Sequence, residues 1–209
     1  MKFQEALKEL REKTKKRDFD QTLDLIISLK DFDVKRESQS IILTLPNKIK
    51  KVRFGAFLEN KGKYDSIEQV ITRGELDTIP VKEMKRLSKK VDFFISNAKL
   101  MPLVASKLGK ILGSAGKMPD PKIGCVVIQE DSETIKKAIE KLSNLIKIKP
   151  KEPSIKIAMG KESMKDETLI QNMEYTIKTI TANLPKKELN IRKVMIKFTM
   201  SHPIKVLKE

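Results

Sequence analysis

The sequence predicts an α/β protein of two domains, one of which is split by the insertion of the other. Helical patterns alternate with short apolar strands through the middle of the chain, as in layered folds with parallel strands. Two basic connectors that contain proline, residues 46–51 and 147–153, are separated by about a hundred residues, a normal domain length. The outer pieces, residues 1–51 and 152–209, are each too short to close a core alone. We therefore expect them to fold together, with residues 52–151 as the inserted domain and the adjacent connectors as a hinge.

The first outer piece is predicted to contain two helices and a strand. Apolar side chains at helical spacing over residues 2–16, followed by a basic run, predict the first helix. Asp18 is a suitable N-cap for a second helix. The apolar face of this helix is assigned to Phe19, Leu23, Ile26 and Ile27. Alternating apolar residues over 41–45 predict a strand that ends at Pro46.

The inserted domain is predicted to alternate strands and helices. Its helices carry a single apolar stripe, which is clearest over residues 131–148. In chain order the predicted elements are a strand at 52–58, helices at 65–72 and 81–89, a strand at 91–96, a helix at 97–108, a strand at 125–128 and a helix at 131–148.

The second outer piece is predicted to run strand, turn, helix, strand. Apolar residues alternate over 155–159, and Ser163 with Asp166 is suited to cap the helix that follows the turn. The apolar stripe of this helix is Leu169, Met173, Ile177, Ile180 and Leu184. The closing elements are a strand over 194–200, a break at Ser201-His202-Pro203 and a resumed strand over 204–206.

The charge balance predicts a polyanionic partner. The chain of 209 residues has 44 Lys and Arg against 28 Asp and Glu, a net charge of +16 with a pI near 9.8. Aromatic residues make up only 5%, and Trp is absent, which favours a folded RNA read by shape and phosphates over single strands read by base stacking. The alternative is a basic protein whose charge serves solubility alone.

Several classes of function are excluded by what the sequence lacks. The single cysteine, Cys125, rules out an internal disulfide and a Cys-rich zinc site, and it is consistent with a reducing cytoplasm. The charged start lacks the apolar core of a secretory signal, and no apolar run reaches membrane-spanning length. His202, the only histidine, lies in a turn with no nucleophile elbow. Asp18, Asp20 and Asp24 are better placed to complement a helix dipole than to bind a metal. We expect no catalysis, cofactor or metal.

A segment rich in glycine, residues 108–127, is predicted to be a long loop of specified shape. It contains half of the eight glycines, two prolines and three lysines, and such loops inside compact domains are usually functional. A phosphate-binding loop is not supported, because Lys117 is followed by Met118 instead of Ser or Thr, and no G-x-G-x-x-G occurs. A nucleotide-binding α/β protein is nevertheless retained as an alternative function.

Three clusters in the outer pieces combine cations with hydroxyl and amide groups, as an RNA site requires. They are residues 15–22, 160–163 and 199–201. Without further support they are equally well explained as a helix cap and two ordinary turns.

The glycine-rich segment L-G-K-I-L-G-S-A-G-K-M-P-D-P-K-I-G-C-V, residues 108–126, resembles the signature of the family of large-subunit ribosomal protein one, the side-stalk protein of the ribosome. K-R-D-F-D-Q-T at 16–22 and V-D-F-F-I-S-N-A-K-L-M-P-L-V at 91–104 are similar to two further family segments. G-K-E-S-M and F-T-M, which begin at Gly160 and Phe198, match in order and position. The resemblance covers nearly the whole chain and is archaeal in character.

The resemblance implies a fold, a function and a set of contacts. The fold is an α+β split domain with an inserted Rossmann-like α/β domain. The function is that of a non-catalytic constituent of the large subunit, a monomer within the cytoplasmic ribosome, which binds side-stalk rRNA, assists release of exit-site tRNA and represses its own mRNA. The implied rRNA contacts are Arg17, Phe19, Gln21, Thr22, Gly160, Lys161, Thr199 and Met200. The glycine-loop residues implied to face tRNA or the stalk are Gly113, Gly116, Lys117 and Lys122.

The chain departs from the family pattern at one strand end. The family has T-M-G-P where this chain has Thr199-Met200-Ser201-His202, and serine would be strained if the glycine position needs a positive φ. A ribosome-assembly relative that visits precursor rRNA and leaves is a further alternative. Such relatives usually carry long basic tails, which we do not find in this sequence.

Overall fold

A computed structural model describes residues 2–15, 17–33, 41–62, 64, 67–148, 150 and 152–206. Its elements, in chain order, are α1 (Phe3–Lys13), β1 (Thr22–Leu29), β2 (Ile41–Thr44), β3 (Phe54–Phe57), β4 (Ile67–Ile71), α2 (Arg73–Thr78), α3 (Val81–Lys90), β5 (Phe93–Asn97), α4 (Met101–Ser114), β6 (Val126–Val127), α5 (Ser132–Ser143), β7 (Leu145–Ile148), β8 (Ser154–Lys161), α6 (Asp166–Asn183), β9 (Ile191–Phe198) and β10 (Ile204–Val206). Short 3₁₀ helices lie at Ala98–Leu100, Pro121–Ile123 and Lys187–Asn190. The mixture of helices with antiparallel and parallel sheets confirms the α/β prediction.

The chain divides into two compact units. The split unit comprises Met1–Lys50 and Asn144–Glu209, and the inserted unit comprises Lys51–Ser143. The predicted inserted domain, residues 52–151, extends further at its carboxyl end. The difference arises because β7 pairs with β2 in antiparallel register, Ile41 opposite Ile148, and so belongs to the split unit.

The main sheet of the split unit has the strand order β10-β9-β1-β8, with antiparallel pairing throughout. One face of the central strand β1 is buried, because Leu23, Leu25, Ile27 and Leu29 alternate with half-buried residues. Helices α1 and α6 contribute apolar side chains to the same core, among them Leu7, Leu10, Leu169, Met173 and Ile180. The predicted stripe of α6 is confirmed by this packing.

The helix predicted after Asp18 is wrong, since Thr22–Leu29 is the strand β1. The apolar residues of this segment fit a helical spacing and an alternating spacing equally well. Pairing with β8 on one side and β9 on the other decides in favour of the strand. Because this helix is absent, Asp18, Asp20 and Asp24 do not complement a helix dipole. Burial raises the pKa of the Asp24 carboxyl, and the ammonium group of Lys197, its neighbour across the strands, opposes this rise.

The inserted unit is built on a parallel sheet of strand order β4-β3-β5-β6. Its core includes Phe57 and Phe94, whose rings are stacked with centroids 5.2 Å apart. Parallel strands are buried on both faces, and all four residues of β3 are accordingly buried.

Two helices predicted in or near the inserted unit are wrong in part. The helix expected over 65–72 is replaced by strand β4 and by helix α2, which begins after Thr72; residues 65 and 66 lie outside the described residues. Thr72 N–H donates to Glu75 Oε2 at 3.0 Å, and this T-x-x-E capping pattern was a usable signal for the helix start. The helix expected over 131–148 ends at Ser143, because residues 145–148 pair with β2.

The segment that follows β2 is held to helix α6 by the buried side-chain amide of Asn172. Asn172 of α6 is fully buried, and its Oδ1 accepts from the backbone N–H of Asn47 at 3.1 Å. Its Nδ2 donates to the carbonyls of Met159 at 3.0 Å and of Asn47 at 3.3 Å. Because a buried amide must be hydrogen-bonded to be tolerated, this cluster defines the position of the segment that follows β2.

Candidate nucleic-acid interface

The three clusters predicted to bind RNA meet at one end of the main sheet. Strand β1 begins at Thr22, next to the residues that end β8 and β9: Thr22 lies opposite Lys161, and Leu23 lies opposite Phe198. Antiparallel pairing on both sides of a central strand brings its start beside the ends of both neighbours. We call the surroundings of this point the sheet-end site. Strand pairing and hydrogen bonds place six of the predicted contacts there: Gln21, Thr22, Gly160, Lys161, Thr199 and Met200. The other two, Arg17 and Phe19, precede Gln21 in the chain by four and two residues.

Thr22 connects the three segments through its backbone and its hydroxyl. Its N–H donates to Thr199 Oγ1 at 3.1 Å, and Thr199 Oγ1 donates to the Thr22 carbonyl at 3.4 Å. Lys161 Nζ donates to Thr22 Oγ1 at 3.0 Å and to the carbonyl of Asp20 at 3.2 Å. These bonds fix one ammonium and two hydroxyl groups at the edge of the sheet.

Gln21 is fully buried, so it supports the site from below and does not form its surface. Its Oε1 accepts from the N–H of Met200 at 3.2 Å, and its Nε2 donates to Glu162 Oε2 at 3.2 Å. The backbone N–H of Glu162 donates to the Gln21 carbonyl at 2.8 Å. One side chain thus connects the segments that follow β8 and β9 with the segment that precedes β1.

Gly160 is also buried, and its position explains why it must be glycine. A Cβ atom here would lie 2.3 Å from Leu169 Cδ2 and 2.9 Å from Met164 Sδ. The absent side chain allows α6 to approach the end of β8 closely.

The remaining predicted contacts are accessible. Phe19 is 50% exposed and Met200 is 60% exposed. Arg17 and Thr199 are exposed, and Thr22 and Lys161 are half-buried. Lys16, which precedes Arg17 in the basic run, lies outside the described residues. The accessible predicted contacts are therefore two cations, two hydroxyls and two apolar side chains, with the exposed carboxylates of Asp18 and Asp20 in the same segment.

Sequence reasoning missed two sets of contacts that hold the site together, those of Ser163 and those of Arg11. Ser163, expected to cap α6, donates from its N–H and Oγ to the carboxylate of Asp20 at 3.1 and 2.8 Å, and Lys165 occupies the N-cap position. Arg11 of α1 donates to Asp166 Oδ1 at 2.7 Å and to the Met164 carbonyl at 3.2 Å. These pairs are far apart in sequence, so only the strand pairing could have revealed them.

The departure from the family pattern at Ser201 carries no positive-φ strain. Among the described non-glycine residues, only Asp31 and Lys187 have positive φ. The Ser201 hydroxyl accepts from the Phe198 N–H at 2.8 Å, and the Ser201 N–H donates to the Phe198 carbonyl at 3.1 Å. Serine therefore closes the turn after β9 with its own side chain.

The glycine-rich segment is a shorter loop than predicted. Helix α4 continues to Ser114, so Gly109 and Gly113 lie within the helix. Only Gly116 (φ 68°) and Gly124 (φ 86°) adopt the left-handed conformation. Lys117 Nζ donates to the carbonyls of Ser88 and Val91, both at 2.6 Å, and so binds the end of α3. Of the four residues predicted to face a partner, Lys122 has an exposed side chain.

The carboxyl ends of β3 and β5, where open α/β sheets bind anionic ligands, are occupied by a carboxylate of the chain itself. Glu130 Oε1 accepts from Glu59 N–H at 2.6 Å and from Asn97 Nδ2 at 2.7 Å, and Oε2 accepts from Asn60 N–H at 3.2 Å. The donors that would bind a phosphate are already in use, which counts against the nucleotide-binding alternative.

Glu130→Gln is expected to lower stability in a pH-dependent manner. Burial raises the pKa of Glu130, but the hydrogen bonds from Glu59, Asn97 and Asn60 outweigh it and hold the pKa below the ordinary value of 4.5. A carboxylate with a depressed pKa stabilises the fold above its unfolded pKa, and this stabilisation is lost as the pH falls through the folded pKa. The difference in melting temperature between wild type and variant should be constant near neutrality and shrink below about pH 4.5. The exposed Glu133→Gln in α5 is the control, and a difference independent of pH would contradict this account.

The described residues contain no cluster of three or more His, Cys, Asp or Glu side chains suited to a metal ion. Likewise, no helix in the described part of the chain is long and apolar enough to span a membrane.

Comparison with known proteins points to one family. Residues 10–202 match the Ribosomal protein L1p/L10e family. Similar proteins include three named large ribosomal subunit protein uL1. That of Methanobrevibacter smithii is 32% identical, with 97% of each chain covered. Those of Pyrococcus horikoshii and Nanoarchaeum equitans are 34% and 36% identical, covering 98% and 92% of this chain and 95% and 94% of their own.

Proposed function

Because the chain belongs to the ribosomal protein L1p/L10e family, whose members are structural and not enzymatic, we propose that its split unit binds folded rRNA of the large ribosomal subunit through the sheet-end site. The observation that carries the proposal is the convergence of three segments at one sheet end, and these segments carry exposed and half-buried polar groups together with two exposed apolar side chains. The full-length similarity to large-subunit proteins places the chain in the ribosome.

The chemistry of the site suits a folded RNA. The guanidinium of Arg17 and the ammonium of Lys161 can neutralise phosphates. The hydroxyls of Thr22 and Thr199 can bond 2′-hydroxyl groups, which distinguish RNA from DNA. Phe19 and Met200 offer apolar surface against ribose or an unstacked base. Because the Lys161 ammonium and the Thr22 and Thr199 hydroxyls are held by hydrogen bonds within the protein, these three groups need little ordering on binding.

Three finer proposals rest on the family resemblance. The rRNA is that of the side stalk, the inserted unit assists release of exit-site tRNA, and the split unit represses the chain's own mRNA through an rRNA-like element. If the two RNAs use one site, each should displace the other in competition. The assembly-factor alternative predicts absence from mature large subunits, so stable recovery with them would exclude it.

The direct test is binding of the full chain to an isolated side-stalk rRNA fragment across a salt series, beside an unrelated duplex of equal length. We expect much tighter binding to the fragment that persists at high salt, because contacts to 2′-hydroxyls and ribose do not depend on counterion release. Equal binding to both RNAs that collapses with salt would mean that net charge alone explains the affinity.

Thr199→Val is expected to weaken binding of this fragment by about tenfold, the effect of losing one or two hydrogen bonds at an interface. Stability should change by no more than about 1 kcal/mol, because the exposed Thr22 N–H can bond water instead. Isothermal titration and urea unfolding measure the two effects. Thr179→Val, which removes a hydroxyl from the far end of α6, is the matched control. Equal affinity of Thr199→Val and wild type would remove Thr199 from the site.

A further inference from the structure

Helix α3 of the inserted unit carries a cationic face. Five of its ten residues are Lys or Arg, and all five side chains are exposed: Lys82, Lys85, Arg86, Lys89 and Lys90. Residues three and four apart lie on one side of a helix, which aligns Lys82, Lys85, Arg86 and Lys89. The opposite side is formed by Met84 and Leu87, which are buried in the core. We call the exposed side the α3 cationic face.

These cations are not used in ion pairs. None of the five has a carboxylate within salt-bridge distance among the described residues, whereas Lys61 pairs with Glu75 at 2.6 Å and Lys107 pairs with Asp77. Like charges at these spacings repel and destabilise a helix, and Glu83, three residues before Arg86, is the one residue of α3 that offsets this repulsion. The arrangement therefore opposes folding of the isolated unit and calls for another explanation.

The helix dipole does not supply that explanation. Cations in the last turn of a helix can stabilise its free carbonyls. In α3 this task is performed by Lys117 from the loop after α4, which donates to the carbonyls of Ser88 and Val91 at 2.6 Å. Lys82 lies at the opposite, positive end of the dipole, where a cation is unfavourable.

We propose that the α3 cationic face is a second RNA-binding surface, which contacts the phosphate backbone of a duplex. The choice of RNA rests on the proposed function; the existence of the surface rests on its charge. Lys82 and Lys89 are separated by a rise of about 10 Å along the helix. A duplex presents roughly one negative charge per 1.7 Å of its axis, so several phosphates lie within reach of the face.

An anionic membrane fits the face less well. Helices that lie on membranes insert a row of aromatic or large aliphatic side chains. The only exposed apolar residue of α3 is Val81, at its first position, and the helix has no aromatic residue. The exposed face is polar, and five of its six charged side chains are cationic, with Glu83 at its edge; such a face is typical of backbone contact with nucleic acid.

The test uses two variants of the full chain that remove the same charge from different helices. One carries Lys85→Gln, Arg86→Gln and Lys89→Gln in α3. The matched control carries Lys136→Gln, Lys137→Gln and Lys141→Gln in α5, whose exposed lysines alternate with Glu133 and Glu140. The probe is an RNA duplex of about 16 base pairs, unrelated in sequence to rRNA.

We expect the α3 variant to bind the duplex about tenfold more weakly at about 0.1 M salt, with the slope of log affinity against log salt reduced by about 2, while the α5 variant changes less than about threefold. The melting temperature of the α3 variant should be unchanged or higher, because repulsion is relieved. Equal losses in both variants, or no loss in either, would overturn the proposal. It would equally be overturned if only binding to vesicles of phosphatidylcholine and phosphatidylserine fell.

The same variants separate this inference from the proposed function. The α3 variant should bind the side-stalk rRNA fragment as wild type does, because that contact is assigned to the split unit. Thr199→Val should show the converse pattern, weaker fragment binding with duplex binding retained. If the wild type fails to prefer the fragment but the α3 variant still loses the duplex, the sheet-end assignment falls and the α3 surface stands.

Discussion

Gly160→Ala is expected to destabilise the split unit and to weaken binding of the rRNA fragment at the same time. The added Cβ would lie 2.3 Å from Leu169 Cδ2, which no real structure tolerates without movement. Leu169 is fully buried in the core, so its side chain has little room to retreat. Overpacking of this kind costs about 1–3 kcal/mol. Because Gly160 precedes Lys161 at the end of β8, any shift also displaces the ammonium group of the site.

The measurement is urea unfolding together with fragment affinity, and two further variants make the interpretation specific. Gly109→Ala in α4 places a Cβ where no atom lies within 4 Å, so it should leave stability unchanged or raise it by about 0.5–1 kcal/mol. Leu169→Ala should cost about 2–5 kcal/mol alone but less in combination with Gly160→Ala, because the new methyl group occupies vacated space. Strictly additive effects would show that Gly160 and Leu169 do not clash.

The sequence predicted most elements of the fold, and the failures share one cause. Where a segment fits both a helical and an alternating period, its sheet neighbours decide, and these are distant in sequence. Thr22–Leu29 became a strand because β8 and β9 pair with it on either side. Leu145–Ile148 left the predicted helix because β2 pairs with it. The local spacing of apolar residues does not reveal either of these strand pairings.

The candidate site was found from motifs, but the motifs do not distinguish surface residues from supporting ones. Gln21 and Gly160 were grouped with Phe19 and Met200, although the first two are buried and the last two are exposed. Gly160 is required because a larger side chain would clash with Leu169, and Gln21 is required because its side chain hydrogen-bonds the segments that follow β8 and β9. Such roles depend on contacts between segments that are more than a hundred residues apart, as between Gln21 and Glu162.

Gln21→Leu is the most direct test of this supporting role. Leucine preserves the approximate volume but leaves the Met200 N–H and the Glu162 carboxylate without their bonds to Gln21. Losing a buried bridge of this kind costs about 1–3 kcal/mol in stability. Because the bridge holds the turn after β9 next to the start of β1, affinity for the fragment should fall at least about tenfold, although Gln21 is fully buried.

Gln21→Glu separates the two halves of the bridge. A glutamate can still accept from the Met200 N–H, but it places a second carboxylate where Nε2 now lies 3.2 Å from Glu162 Oε2. Two carboxylates so close cannot both ionise freely, and the shared site takes up a proton with a raised pKa. Fragment binding by this variant should therefore be weak at neutral pH and recover partly toward about pH 5, whereas wild type should show no such recovery.

If Gln21→Leu instead binds RNA as wild type does while losing stability, then the order of the sheet-end site does not depend on this bridge. The exposed groups would then act independently of the network beneath them.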